Sequence, residues 1–211
     1  KFWKNDEFNW YIMAVVLLTI VITPIVLMAT NSDIEQGIRT ALFQVVSIIT
    51  TTGYASANYT EWGAFASFIF FLLLFSGASA GSTSGGMKIV RITLLMKNGF
   101  LEFKRRLHPN AIIPVQLNGD GVAPKIIYNL LAFVFFYIFV FVSGAIVLTF
   151  IGLDFQDAIS ASITAVSNVG PGIGSIGPSS SFAHLPDTAK WVLSFLMILG
   201  RLELFTIAIL F

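Results

Sequence analysis

Two short stretches without a charged residue carry the oxygen atoms that could bind an ion in this chain. One reads TTTGY and spans residues 50–54, and the other reads SNVGP and spans residues 167–171. Threonine hydroxyls and backbone carbonyls are hard oxygen ligands, and rings of such carbonyls replace the hydration shell of a permeating monovalent cation. Gly53 and Gly170 permit backbone torsions that point successive carbonyls in one direction. The residue types therefore predict two cation-coordinating loops.

A short apolar segment precedes each loop, and the two segments form an internal repeat. When Gly53 is aligned with Gly170, ALFQVVSIITTTGY and AISASITAVSNVGP run in register. Both segments are too short to span a bilayer, which takes roughly 20 residues. A re-entrant helix would instead aim the negative end of its dipole at the loop, which favours a cation there. The alternative is that both loops are external turns, since turns use similar residue types. The repetition of helix and loop in register disfavours this alternative.

The composition places these elements in a membrane. Hydrophobic residues make up 56% of the chain and charged residues 11%, whereas soluble domains are about 25% charged. Four long apolar segments predict spanning helices: residues 10–29, 62–75, 126–151 and 191–211. The first could be a signal peptide, but its length of about 20 residues and its lack of a small-residue cleavage site favour a transmembrane helix.

The same composition excludes several classes of function. A formal net charge of +1 gives no basis for nucleic-acid binding. The chain has 0 cysteines, which excludes disulfides and thiolate metal sites. His108 and His184 are far apart in sequence, so neither a histidine metal site nor the catalytic set of a membrane-embedded enzyme is indicated. We expect no enzymatic activity, no covalent chemistry and no cofactor.

Basic residues between the two repeats set the expected orientation. Half of the Lys and Arg residues fall within residues 87–110, and they are Lys88, Arg91, Lys97, Lys104, Arg105 and Arg106. The positive-inside rule makes this segment cytoplasmic. Lys1 and Lys4 fall on the same side of the membrane, because the chain crosses the bilayer an even number of times between them and this segment. The re-entrant segment adds no crossing. Both glycine loops should then open toward the outside.

Five motifs spread over the chain carry a resemblance to a known family. They are TTTGY, SNVGPG, GGMKIVR, HPNA and GRLELF. In combination they resemble the Trk/Ktr/HKT superfamily of potassium transport proteins, and within it the TrkH branch of the bacterial inner (cytoplasmic) membrane. In that family four helix–pore helix–filter–helix units surround one pore, and the two units here resemble the third and fourth. The resemblance implies an all-α membrane protein with a third-type unit in residues 1–105, a cytoplasmic linker in 106–122 and a fourth-type unit in 123–211.

The resemblance also implies which residues bind the ion. One filter strand would consist of Thr51, Thr52, Gly53 and Tyr54, and the other of Asn168, Val169, Gly170 and Pro171. The principal potassium-coordinating positions, mostly through backbone oxygens, would be Thr51, Thr52, Asn168 and Val169. Because the second strand lacks a tyrosine, a four-fold identical cage is impossible. A looser preference for potassium over sodium is compatible with that difference.

Small residues from position 76 to 86 interrupt the apolar segment after the first loop. Gly81 and Gly86 have the spacing of a phosphate-binding loop, but the Gly-Lys-Ser/Thr ending is missing. Close helix packing through small residues is a second interpretation. The resemblance implies a third: an intramembrane loop below the filter that acts as a flexible gate, with Gly81, Gly85 and Gly86 as its glycines.

Arg201 interrupts the last apolar segment, where a charge is costly and usually faces a cavity or a partner. Glu203 is two residues away and points to a different helix face, so it is not an obvious partner. Arg201 could snorkel to the interface or form a structural pair. We favour a pore-facing arginine that places positive charge in the cation path and helps to hold it closed.

Potassium uptake through such a filter is the expected function. An ion-coupled secondary transporter, which carries potassium with protons or sodium, is the alternative, although its repeats are commonly inverted whereas these two share one orientation. The resemblance implies a homodimer and cytosolic nucleotide-binding regulatory subunits of the TrkA type. Residues 101–119 are the candidate surface for those subunits, and contact with anionic lipid is the simpler interpretation of that surface.

Overall fold

The computed structural model describes residues 5–82, 84–108 and 113–201, and its helices fall into two groups in chain order. The first group consists of α1 (Asp6–Thr30), α2 (Ile34–Ile49), α3 (Ala64–Leu73) and α4 (Ile89–Leu107). The second group consists of α5 (Pro124–Ile151), α6 (Phe155–Ser167) and α7 (Asp187–Arg201). Each group begins with a long helix that packs against the short helix following it, α1 on α2 and α5 on α6. The internal repeat predicted from the sequence is therefore present in the fold.

In the described part of the chain, two helices are long and apolar enough to cross a membrane, α1 with 25 residues and α5 with 28. The Asn5 side chain caps α1 by accepting a hydrogen bond from the Glu7 amide at 2.9 Å. Pro124 lies in the first turn of α5, where its missing N–H has no cost. Gly152, at φ 110°, ends the same helix in a left-handed conformation. The predicted segments 10–29 and 126–151 are thus helical.

The predicted segment 62–75 differs from the expectation, because only α3 within it is α-helical and that helix has ten residues. A turn of 3-10 helix, Tyr59–Trp62, leads into it. After α3 the chain forms the loop of small residues, closed by strands β1 (Ser76–Gly77) and β2 (Met87–Lys88), which pair in parallel. We call the described residues 76–82 and 84–88 the small-residue loop. The helix then resumes as α4, so the predicted interruption divides this segment in two.

The connection between the two groups contains a small hairpin. Strands β3 (Gln116–Leu117) and β4 (Asp120–Gly121) pair antiparallel across Asn118 and Gly119. Both turn residues have positive φ angles, 56° and 91°, as a tight Asn-Gly turn requires. Of the predicted last segment, 191–211, the described part is helical in α7, and residues 202–211, including Glu203, lie outside the described residues.

Buried polar side chains in the described residues are concentrated on the two short helices. Six lie on α2 and α6: Gln44, Ser47, Ser160, Ser162, Thr164 and Ser167. A buried polar group needs a hydrogen-bond partner to offset its lost hydration. Most of these side chains bond to the backbone of neighbouring segments, which fixes the loops that follow α2 and α6.

Candidate ion-binding site

The loops that follow α2 and α6 share the same unusual backbone torsions. Thr51 and Asn168 each lie two residues before the aligned glycine, and both are left-handed, with φ of 54° and 55°. Gly53 and Gly170 also have positive φ, 76° and 112°. A positive φ is uncommon for residues other than glycine and is unfavourable for the β-branched Thr51. Left-handed torsions at matching positions, unfavourable at Thr51 and readily adopted by Asn168, show that both loops have the same backbone course.

A hydroxyl on each short helix holds the far end of its loop. Ser47 Oγ donates to the carbonyl oxygen of Tyr54 at 2.5 Å, and Thr164 Oγ1 donates to that of Pro171 at 3.0 Å. Ser47 and Thr164 occupy equivalent places in the aligned repeats. The same brace therefore folds each loop back alongside its own helix.

The loop amides point toward the short helices. The N–H groups of Thr52 and Gly53 donate to the Ser47 carbonyl at 2.9 and 3.3 Å. In a trans peptide the preceding C=O points the opposite way from the N–H. The carbonyls of Thr51 and Thr52 are therefore directed away from α2.

The second loop repeats this arrangement on α6. The Val169 N–H donates to the Thr164 carbonyl at 3.2 Å, and the Gly170 N–H donates to Thr164 Oγ1 at 3.1 Å. By the same argument the carbonyls of Asn168 and Val169 are directed away from α6. The four carbonyls that turn away from the short helices thus belong to the four predicted coordinating residues.

The two loops also touch each other. A methyl group placed on Gly53 would lie 2.1 Å from the carbonyl oxygen of Val169 and 3.1 Å from Cδ of Pro171. A methyl group on Gly170 would meet no atom of the described residues within 4 Å. Gly53 is therefore closely covered by the second loop, whereas Gly170 faces open space in this part of the protein.

Tyr59 joins the two units, and no pattern in the sequence pointed to this role. Its hydroxyl donates to the Gly172 carbonyl at 2.7 Å, across 113 positions of sequence. Burial raises the pKa of the Tyr59 hydroxyl above its ordinary value, so the group remains a protonated donor. The Tyr59 ring stacks on Phe70, with ring centroids 4.4 Å apart. This contact fixes the segment after the first loop against the segment after the second.

Asp157, in the first turn of α6, holds the segment that follows the second loop. The Asp157 carboxylate accepts hydrogen bonds from the Ser175 amide at 2.9 Å and the Ser175 hydroxyl at 2.5 Å. The Ser175 hydroxyl also lies 3.1 Å from His184 Nε2. A serine hydroxyl has one proton and donates it to Asp157, so the His184 Nε2 is the donor in that contact.

The small-residue loop contacts the C-terminal end of α6, which ends at the second loop. A methyl group on Gly85 would lie 2.4 Å from the Ser167 carbonyl oxygen and 3.1 Å from Asn168 Cβ. A methyl group on Gly81 would meet nothing within 4 Å among the described residues. Gly86 has a φ of 73°, so its backbone is in the left-handed region. Of the three predicted gate glycines, Gly85 is therefore the one in contact with the region of the second loop.

Tyr137 on α5 supports the same end of α6. Its hydroxyl forms a buried hydrogen bond of 2.7 Å with Ser167 Oγ. Ser167 thus bonds to α5 through its side chain while its carbonyl lies against the small-residue loop. The sequence analysis placed Ser167 at the start of the second loop but did not point to Tyr137.

The end of α7 packs beneath the second loop. Asn168 Nδ2 donates to the Met197 carbonyl at 3.1 Å. A methyl group on Gly200 would lie 1.9 Å from the Val166 carbonyl oxygen. Arg201 is the next residue, and its side chain is exposed. The structure therefore brings Arg201 within one residue of the contact between α7 and the end of α6.

Two helix–short helix–loop–helix units with their loops in contact define an all-α membrane protein of the re-entrant type, as predicted. Residues 8–211 match the TrkH family, described as a cation transport protein, and the chain belongs to this family. The resemblance identified from the five motifs is confirmed.

Relatives and a solved structure agree with this assignment. The chain is 40% identical over 200 residues to the Trk system potassium uptake protein TrkI of Halomonas elongata, a match that covers 94% of this chain and 41% of the relative. It is 36% identical over 210 residues to the Trk system potassium uptake protein TrkH of Vibrio parahaemolyticus. This match covers 99% of this chain and 43% of the relative. The crystal structure of the potassium transporter TrkH from Vibrio parahaemolyticus superimposes with a TM-score of 0.91 at 36% identity, covering 99% of this chain and 44% of that one. The chain therefore spans less than half the length of these relatives.

Proposed function

We propose that this chain forms two walls of the selectivity filter of a potassium uptake protein in the bacterial cytoplasmic membrane. The carbonyls of Thr51, Thr52, Asn168 and Val169 are the proposed potassium ligands. The observation that carries the proposal is the matched hydrogen bonding of the two loops, which turns these carbonyls away from the short helices. Gly53 and Gly170 supply the torsions that this arrangement needs.

The electrostatics of the two units favour a cation at the proposed filter. The C-terminal ends of α2 and α6 both lead into the loops, and the partial negative charge of a helix C-terminus stabilises a cation nearby. Carbonyl oxygens replace the water that a potassium ion loses on entry. The remaining walls of the pore would come from the parts of the longer protein that lie outside this chain, and the open side of Gly170 is the proposed place for one of them.

The small-residue loop and Arg201 are the proposed gate. The contact of Gly85 with Ser167 supports a loop directly below the second filter strand. Further proposals, which rest on the family resemblance, are a homodimer and a cytosolic TrkA-type regulatory partner that binds residues 101–119. Arg105 joins the two described parts of that surface, because its guanidinium donates to the Ile113 carbonyl at 2.8 and 3.1 Å.

The proposed function is tested by recording the full-length protein that contains this chain in planar bilayers. We expect unitary currents whose reversal potential follows the potassium gradient, because ions would pass through a continuous filter. Potassium transport without unitary currents, and driven by a proton or sodium gradient, would favour the secondary transporter. Currents with no preference for potassium over sodium would contradict the filter.

Arg201→Ala is expected to raise the open probability at least about threefold, because it removes a positive charge from the proposed cation path, where that charge would repel a permeating cation. Single-channel recording provides the measurement. Lys190→Ala is the matched control, since Lys190 is on the same helix and pairs with Asp187 at 3.0 Å near the helix start. An open probability for Arg201→Ala that is no higher than that of Lys190→Ala would exclude Arg201 from the gate.

A further inference from the structure

Glu7, in the first turn of α1, contacts the small-residue loop. Its Oε1 accepts a hydrogen bond from the Ala80 backbone N–H at 2.6 Å, across 73 positions of sequence. A carboxylate acceptor gives a shorter and stronger hydrogen bond than a neutral one. The contact therefore ties the loop to a spanning helix that belongs to neither of its flanking segments.

Several other hydrogen bonds of this loop, among the described residues, stay within it or join it to the end of α3 and to the start of α4. Ala78 N donates to Ser84 Oγ at 3.2 Å, and the Lys88 ammonium donates to the Ser82 carbonyl. These bonds shape the loop but do not set its position relative to α1. The bond to Glu7 does set that position.

The position of Glu7 is itself fixed by the neighbouring residue. The Asp6 carboxylate accepts hydrogen bonds from Lys97 Nζ of α4 at 2.6 Å and from the Asn118 amide at 2.9 Å. In return the Asp6 amide donates to Asn118 Oδ1 at 2.7 Å. Asn118 is in the turn of the β3–β4 hairpin, so the start of α1 is bound to both α4 and the hairpin.

We propose that Glu7 is a positioning residue that holds the small-residue loop below the second filter strand, and that Asp6 links this contact to the β3–β4 hairpin. The inference rests on the proposed function, in which this loop obstructs the ion path. A displacement of the hairpin would move the start of α1, withdraw the acceptor from the Ala80 amide and release the loop. Strand β3 and the turn of the hairpin lie within the surface proposed for the regulatory partner, so this chain of contacts offers a route by which such a partner opens the gate.

The test uses two substitutions of Glu7 in the full-length protein, measured as single channels with potassium and sodium on opposite sides. Glu7→Gln keeps an uncharged acceptor oxygen, whereas Glu7→Met has a similar length and no oxygen. We expect open probability to rise in the order wild type, Gln, Met, with at least about a threefold increase for Met. The reversal potential should stay unchanged, because the filter carbonyls are not involved.

Glu61→Met is the matched control. Glu61 also accepts an amide hydrogen bond, from Asn58 Nδ2 at 2.7 Å, but it lies at the opposite end of α3 from the small-residue loop. It should keep the open probability of the wild type. Equal open probabilities for Glu7→Met and Glu61→Met, or a shifted reversal potential for Glu7→Met, would overturn the inference.

The outcomes separate this inference from the proposed function. Potassium-selective currents that do not respond to Glu7 leave the filter proposal intact and exclude the role of Glu7. A wild-type protein without potassium-selective currents refutes the proposed function, and the inference falls with it. If Glu7→Met fails to assemble, Glu7→Gln decides, because an open probability equal to that of the wild type then contradicts the inference.

Discussion

Replacing Gly53 with alanine is expected to lower the permeability ratio of potassium to sodium at least about tenfold, which corresponds to about 1.4 kcal/mol of discrimination. The new methyl group would lie 2.1 Å from the Val169 carbonyl oxygen, which is backbone and can move only with its loop. The residue would also have to keep a φ of 76°, which costs a non-glycine residue roughly 1–2 kcal/mol. Both loops would therefore shift, and with them the proposed ligands.

The measurement is the reversal potential of the full-length protein under mixed potassium and sodium conditions. Gly63→Ala is the control, because Gly63 has a φ of 97° but no atom of the described residues near its missing Cβ. It reproduces the torsional strain outside the proposed filter.

Gly53→Ser and Gly170→Ser should also reduce the preference for potassium. At Gly170 the reason is its φ of 112°, a torsion that serine rarely adopts. An unchanged permeability ratio in Gly53→Ala would contradict the filter assignment.

Gly85→Ala is expected to raise the open probability at least about fivefold. Its methyl group would lie 2.4 Å from the Ser167 carbonyl oxygen and 2.8 Å from the Ser167 carbonyl carbon, both of them backbone atoms at the end of a buried helix. Because α6 is packed between α5 and α7, we expect the small-residue loop to move rather than the helix. The closed position of the loop is thereby disfavoured.

Single-channel recording also measures this effect, with Gly99→Ala of α4 as the control, since a methyl group there meets no described atom within 4 Å. Gly81→Ala should have a smaller effect than Gly85→Ala, because Gly81 is in the same loop but has open space around it. Equal open probabilities for Gly85→Ala and Gly99→Ala would show that the contact with Ser167 does not hold the loop closed.

The repeat and its loops were predictable because they depend on local properties of the chain. Glycine at matching positions indicates where the backbone takes positive φ, and the torsions of Gly53 and Gly170 agree with that expectation. The low charge content and long apolar segments likewise indicated a membrane protein before any contact was known. The matching left-handed torsions of Thr51 and Asn168 were not predicted, because residue type alone disfavours them at Thr51.

The apolar segment 62–75 shows where composition is insufficient. Its hydrophobicity indicated a spanning helix, but α3 ends at Leu73 and the chain returns to α-helix only at Ile89. The small residues that follow were recognised as an interruption. Their strand pairing and their contact with α6 depend on the surrounding helices, which no local pattern describes.

Thus the sequence by itself determined the membrane setting, the two repeated units, the family and the positions of the two glycine loops, since periodicity, composition and backbone preference are properties of neighbouring residues. Only the tertiary structure decided which groups meet. It placed Val169 against Gly53, Tyr59 on Gly172, Ser167 against Gly85 and Glu7 on Ala80. These partners are brought together by helix packing across long stretches of chain, and the identity of a residue does not specify its distant neighbour.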